Sequence, residues 1–265
     1  MAAQAGAGAL RTPPELDLAT WIVSIDRESA ALVRAAEAAG LGAPVPTCPG
    51  WQVRDLARHL GGVQRWATAH VAEGRRESMP KQEVFNLMAS YPRDDLLLQW
   101  FEQGARRLRQ VLAEAPHNLE CWSFLPSPSP LEFWARRQAH ETEVHRADAE
   151  IAAGSGGVTF PAEIAGDGID EMLFGFAVVR HRPSPAPPLR LALLAQDLPL
   201  QWQVQLGPEG IQAERGSAEA DCQLRGTASN LFLWLWNRLP VTALSVAGNQ
   251  EVVKRWSQTM RVRWS

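Results

Sequence analysis

Apolar residues in the first half of the chain recur at intervals of three and four, the spacing that places them along one side of an α-helix. Leu18, Trp21, Ile22, Ile25, Leu32 and Val33 form such a stripe, which stops at Gly40 and Gly42. The turn-rich stretch Pro44 to Gly50 leads into a second stripe, from about Trp51 to Gly74, carried by Val53, Leu56, Leu60, Val63 and Ala67. Residues 75–92 have no periodicity and read as irregular. A third stripe follows Pro92, with Leu97, Trp100, Leu108, Val111 and Leu112, and fades at Pro116. The fourth helix has the clearest start, because Ser129-Pro130-Leu131-Glu132 is a capping box with proline at the first helical position. It can run to about Ala153, where Gly154, Gly156 and Gly157 end it. Four helices of this length bury their stripes most economically as a four-helix bundle.

The pattern changes after Gly157. A helix over Ala162 to Val179 leads into Pro183, Pro185, Pro187 and Pro188, and then the period shortens to two. Leu189 to Leu194 and Leu200 to Leu206 read as strands, and Gly207-Pro208-Glu209-Gly210 as the hairpin connection to a third strand at 211–215. Cys222 and Leu224, before the break at Gly226-Thr227, mark one more strand. Helices at about 228–238 and 249–259, with an extended piece at 241–247 between them, complete the chain. The fold class predicted is α+β: a tail over residues 1–14, a helical bundle over 15–156, and a small α+β domain over 157–265.

Composition narrows the function classes. Apolar residues make up 46% and charged residues 21%, an ordinary globular balance. A net charge of -3 with no basic stripe gives no footprint for nucleic acid. The apolar run Leu231 to Trp236 is far too short to cross a membrane. Residues 1–13 lack the charged start and long apolar block of a signal peptide, so a cytoplasmic protein is expected. Cys48, Cys121 and Cys222 lie far apart without a CxxC, which fits a reducing compartment and argues against a cysteine-built metal site. The 11 tryptophans against one tyrosine read as core filling. No exposed coiled-coil seam is visible, so a monomer is expected.

The fourth helix carries the chemistry. His140-Glu141-Thr142-Glu143-Val144-His145 looks superficially like a zinc-protease HExxH motif, but its histidines are five apart, about 140° around a helix. Glu141 and His145, four apart, do share a face, and Asp148 extends the same line. A third ligand must come from elsewhere, and His59 sits in the apolar stripe of the second helix. With the second and fourth helices parallel in an up-down bundle, His59 would lie about 12 Å into its helix, and Glu141 and His145 about 16 and 22 Å into theirs. Two histidines and a carboxylate suit Zn²⁺ with an open coordination position; Fe²⁺, Mn²⁺ and Ni²⁺ accept the same donors. Each position also has a plainer reading. His59 alone would be a hydrogen-bonded core histidine, Arg136 and Arg137 surface charges or carboxylate partners, and Asp148 a structural group or one that orients a ligand histidine.

Two segments carry a resemblance: Val45-Pro-Thr-Cys-Pro-Gly-Trp-Gln-Val-Arg-Asp-Leu-Ala-Arg-His59-Leu and Trp134-Ala-Arg-Arg-Gln-Ala-His-Glu141-Thr-Glu-Val-His145-Arg-Ala-Asp148. Together they resemble the mycothiol-dependent maleylpyruvate isomerase family, within the DinB-like group of metal-binding four-helix bundles. Arg225-Gly-Thr-Ala-Ser-Asn-Leu-Phe-Leu-Trp-Leu-Trp-Asn-Arg238 is similar to that family's sterol-carrier-like C-terminal domain, so the resemblance spans about residues 15–260. It implies His59, Glu141 and His145 as metal ligands, mycothiol as thiol cosubstrate and a small electrophile as substrate. It also implies an arginine from the second domain, for which Arg238 is the first candidate and Arg225 the second. Asn237 stands where a glycine is expected before that arginine.

The implied chemistry is activation of a thiol whose pKa is ordinarily near 8.5, since metal coordination deprotonates it. An isomerase would add that thiolate to a conjugated cis double bond, let the resulting single bond rotate, and eliminate the thiol. An S-transferase would keep the conjugate. Two rival classes stand beside these: a carrier of small hydrophobic ligands, which needs no metal and could use Trp51, Trp66, Trp134, Trp234 and Trp236, and a non-catalytic metal-binding scaffold.

Overall fold

In a computed structural model of the chain, residues 16–180, 187–216 and 219–260 are described. The tail expected over residues 1–14 lies outside them, as do Pro183 and Pro185. The molecule divides into a helical unit, Leu16–Thr159, and a sheet unit that begins at Phe160.

In the helical unit each stripe becomes a helix with an identifiable start. α1 (Leu18–Ala39) is capped by Asp17, whose side chain accepts a hydrogen bond from the Thr20 amide at 2.8 Å. α2 (Val53–Glu73) follows the turn-rich connector, and Asp55 accepts from the Gln52 amide at 2.9 Å across its first turn. α5 (Pro130–Ala152) starts as its sequence dictates, with Ser129 accepting from the Glu132 amide and proline in the first turn. Between α2 and α4 (Asp94–Glu114) the expected irregular stretch contains a short helix, α3 (Lys81–Met88). None of its residues is fully buried. It is one amphipathic pair of turns set between Pro80 and Pro92, too short to show a stripe.

Side-chain pairs fix the direction of each helix. Ser24 and Glu28 of α1 meet Glu143 and Arg146 of α5 in ascending order, so these two helices are parallel. Arg58 and Arg65 of α2 meet Asp94 and Trp100 of α4 in ascending order too. Along α5, however, His59 pairs with Glu141 whereas Trp66 and His70 pack on Trp134, so α2 and α5 are antiparallel. The bundle is therefore up-down-down-up, and the parallel pairing of α2 with α5 that the depth estimate assumed is corrected. The link through α3 is what lets α4 return parallel to α2. In this arrangement His59 lies about 9 Å from the start of α2 and His145 about 10 Å from the end of α5, which brings them level.

α2 and α4 touch closely where Gly61 faces Trp100: a Cβ at Gly61 would come within 2.2 Å of the indole. The Arg65 guanidinium lies 3.6 Å from the centre of the Trp100 ring and donates to the Gly61 and Trp100 carbonyls, which locks the crossing.

The sheet unit opens with α6 (Ala162–Asp170), which runs on through a π-helical turn, Glu171–Ala177, into α7 (Val178–Arg180). Among the described residues five strands follow: β1 (Leu189–Ala195), β2 (Gln201–Gly207), β3 (Gly210–Arg215), β4 (Cys222–Gly226) and β5 (Ser245–Gly248), in the order β3-β2-β1-β4-β5. All neighbours are antiparallel except β1 and β4, which are parallel. Leu191, Leu193, Trp202, Val204, Cys222 and Leu224 are buried, and α8 (Ala228–Leu235) and α9 (Glu251–Thr259) pack against the sheet. The extended piece expected at 241–247 is a single 3-10 turn at Val241–Ala243 followed by β5.

α8 ends in a Schellman motif. The Arg238 amide donates to the Leu233 carbonyl at 2.8 Å and the Asn237 amide to that of Trp234 at 2.9 Å. Asn237 has φ +61, the only non-glycine residue with positive φ among the described residues. Asparagine thus supplies the left-handed turn for which a glycine was expected.

Candidate metal site

The candidate ligands come from α2 and α5. His59 Nε2 and His145 Nε2 each lie 3.3 Å from the same oxygen, Glu141 Oε1. One donor atom from each residue falls within 4.8 Å of the other two. The His145 and Glu141 side chains are 3% and 4% exposed while His59 keeps 15%, so the cluster is sealed on the α5 side and open beside α2.

The residues around the trio hold it from several directions. Arg137, buried and one turn before Glu141, donates to Glu141 Oε2 at 2.8 Å and leaves Oε1 to face the imidazoles. His145 Nδ1 lies 2.9 Å from Asp148 Oδ2, and Asp148 also accepts from Thr47 Oγ1 at 2.5 Å. The Trp51 indole stacks on His145, with ring centres 6.2 Å apart and planes at 17°, and tilts over His59 at 5.2 Å. His140 faces elsewhere, as its five-residue offset requires. It lies against Glu143, which accepts from Ser24 of α1.

Charge explains why such groups can be buried together. Burial alone would favour a neutral Glu141, but the Arg137 guanidinium, with hydrogen bonds from His145 and His59, outweighs it and holds the carboxyl well below the usual range. Burial likewise pulls His145 down, and the Asp148 and Glu141 carboxylates more than restore it, raising its pKa to about 8. Two imidazole nitrogens converging on one carboxylate oxygen need something electrophilic between them and it, either their own N–H protons or a cation. A tetrahedral zinc ion with ligands at about 2.1 Å separates its donors by about 3.4 Å, close to the two 3.3 Å contacts. The donor set and its spacing fit such an ion.

Comparison with known proteins settles the family. The sequence model described as the mycothiol maleylpyruvate isomerase N-terminal domain matches residues 23–150, and the one described as the MDMPI C-terminal domain matches residues 163–255. The chain belongs to the mycothiol-dependent maleylpyruvate isomerase family. Among solved structures, its fold is similar to the crystal structure of the mycothiol-dependent maleylpyruvate isomerase, with a TM-score of 0.61 and 13% identity over 88% of this chain and 93% of that one. A mutant of that isomerase matches equally well. No curated protein matches by sequence.

The two arginines expected in the family's second domain stand differently. Arg238 is half-buried, its backbone set by the Schellman turn, and its Nη1 donates to the Trp236 carbonyl at 2.7 Å. Arg225 is exposed on β4 and reaches Gln223. Of the five tryptophans considered for a cleft, Trp51 packs on the rings of His59 and His145. Trp66 and Trp134 cluster with His70 and Trp122 near the end of α2 and the start of α5, and Trp234 and Trp236 pack on Trp256 and Phe176 in the sheet unit. A separate surface cleft of about 550 Å³, lined by Pro188, Arg190, Glu219, Ala220, Asp221 and Gln223, contains none of the candidate site residues. Among the described residues, no helix is long and apolar enough to cross a membrane. Arg137, Thr47 and Cys48 went unassigned as site residues in the sequence. Only Arg137 left a local signal, its place one turn before Glu141.

Proposed function

We propose that this chain binds a divalent metal, zinc by donor type, through His59, Glu141 and His145, and activates the thiol of mycothiol for cis-trans isomerisation of a small conjugated acid. The observation that carries this reading is the convergence of two imidazole nitrogens on one carboxylate oxygen, in a chain of this family. When bound, the metal supplies Lewis acidity that turns the thiol into a thiolate at neutral pH. The chain's own residues do the rest. Arg137 and Asp148 hold Glu141 and His145 in place, and Trp51 packs on the ligand rings. Addition of the sulfur to one alkene carbon leaves a single bond that rotates, and expulsion of the sulfur gives the trans isomer with the thiol regenerated. The negative charge that develops on the substrate during addition calls for a cation, and the family resemblance implies for that role an arginine of the second domain, with Arg238 the first candidate and Arg225 the second.

The test is turnover of a cis-conjugated keto diacid such as maleylpyruvate by the zinc-loaded protein, with and without mycothiol. The proposal expects isomerisation only with the thiol, and a loss of two or more orders of magnitude in Arg238→Met. Thiol-independent turnover, or accumulation of a stable thioether, would contradict the isomerase reading; the latter would move the chemistry to S-transfer on the same ligands.

A further inference from the structure

Asp148 joins two parts of the helical unit that are far apart in sequence. It has no solvent exposure, yet Thr47 Oγ1 donates to its Oδ1 at 2.5 Å and Cys48 Sγ to its Oδ2 at 3.4 Å, while His145 Nδ1 lies 2.9 Å from Oδ2. With both carboxylate oxygens accepting, the contact to His145 is a hydrogen bond only if Nδ1 carries the proton. In the neutral ring the shorter 2.9 Å bond to Asp148, against 3.3 Å from Nε2 to Glu141, keeps the proton on Nδ1 and leaves the lone pair on Nε2, the nitrogen that faces Glu141 and His59.

Thr47 and Cys48 belong to the connector between α1 and α2, which is tightly folded. The Val45 amide donates to Trp51, the Cys48 amide to Val45 and the Trp51 amide to Cys48, at 2.9, 3.0 and 3.0 Å. A single β-bridge pairs Pro44 with Gln52. The same connector therefore meets the site twice, through the Asp148 bonds behind His145 and through the Trp51 ring on its face.

We propose that Asp148, anchored by Thr47, is a positioning residue that fixes the tautomer and ring orientation of His145, so that the 44–52 connector acts as a clamp on the metal site. This rests on the metal reading above. A carboxylate behind a ligand histidine raises its basicity and spares the metal the cost of ordering the ring, an effect of about 10–100-fold in affinity.

The experiment uses the full-length chain with Asp148→Asn and Thr47→Val. Two quantities are read: the zinc dissociation constant by chelator competition, and the imidazole ¹⁵N shifts of His145 in the metal-free protein above pH 9. The expected result is a single Nδ1–H tautomer in the wild type and a mixture in Asp148→Asn, with zinc bound 10–100-fold more weakly there and several-fold more weakly in Thr47→Val. Folded variants with wild-type zinc affinity and an unchanged tautomer would overturn the proposal. Should Asp148→Asn fail to fold, the isosteric Thr47→Val, which leaves the carboxylate in place, decides by the same two readouts. A wild type that binds no zinc would sink the metal reading itself, while the tautomer measurement would still judge Asp148 on its own.

Discussion

At the scale of single residues, helical spacing had most of the candidate site to offer. Arg137, Glu141, His145 and Asp148 follow one another at intervals of four, four and three, so one face of α5 presents two candidate ligands with a supporting charge at each end. Arg137 reads in the sequence as a surface charge or a carboxylate partner, and the folded chain shows the second, with Arg137 buried against Glu141. Thr47 and Cys48 had no local signal, since their partner is about a hundred residues away. The raised pKa of His145, about 8, makes metal binding a competition with protons. A metal takes a neutral imidazole, so apparent zinc affinity should climb about tenfold per pH unit below 8 and level off above it. Chelator competition from pH 6.5 to 9 checks this, and a flat profile would mean that His145 is not a ligand. In the metal-free protein the same proton stabilises the fold: the contribution is complete below the ordinary value of 6.5 and lost as pH rises through about 8.

At the scale of elements, starts and stops were legible where a cap or a breaker wrote them, as at Ser129-Pro130 and Gly40. Direction was not. Periodicity tells which face of a helix is buried but is silent on which way the neighbouring helix runs, and so the antiparallel course of α2 against α5 emerged only from pairs such as Trp66 with Trp134. α3 escaped because a two-turn helix with no fully buried residue leaves no stripe. The turn after α8 shows a departure absorbed by chemistry: asparagine tolerates the left-handed conformation at φ +61 better than other non-glycine residues. Asn237→Gly should therefore leave stability within a few tenths of a kcal/mol, whereas Asn237→Val should cost about 1–2 kcal/mol. Denaturant midpoints measure both, and a tolerated valine would contradict the Schellman assignment.

At the scale of the molecule, the order of elements was enough for the α+β class, with helices first and a sheet after. The parallel pairing of β1 with β4 was not readable, because it joins strands separated by a hairpin and a further connection, and no local pattern marks it. The family places this organisation alongside a thiol-dependent isomerase, and the account as a whole stands on whether α2 and α5 together hold a metal. The most direct measurement is metal content per chain, after removal of loosely bound ions, for the wild type and for His59→Ala. The account predicts close to one zinc per wild-type chain and little in the variant, with both proteins folded. No metal in the wild type, or equal metal in a folded His59→Ala, would contradict it.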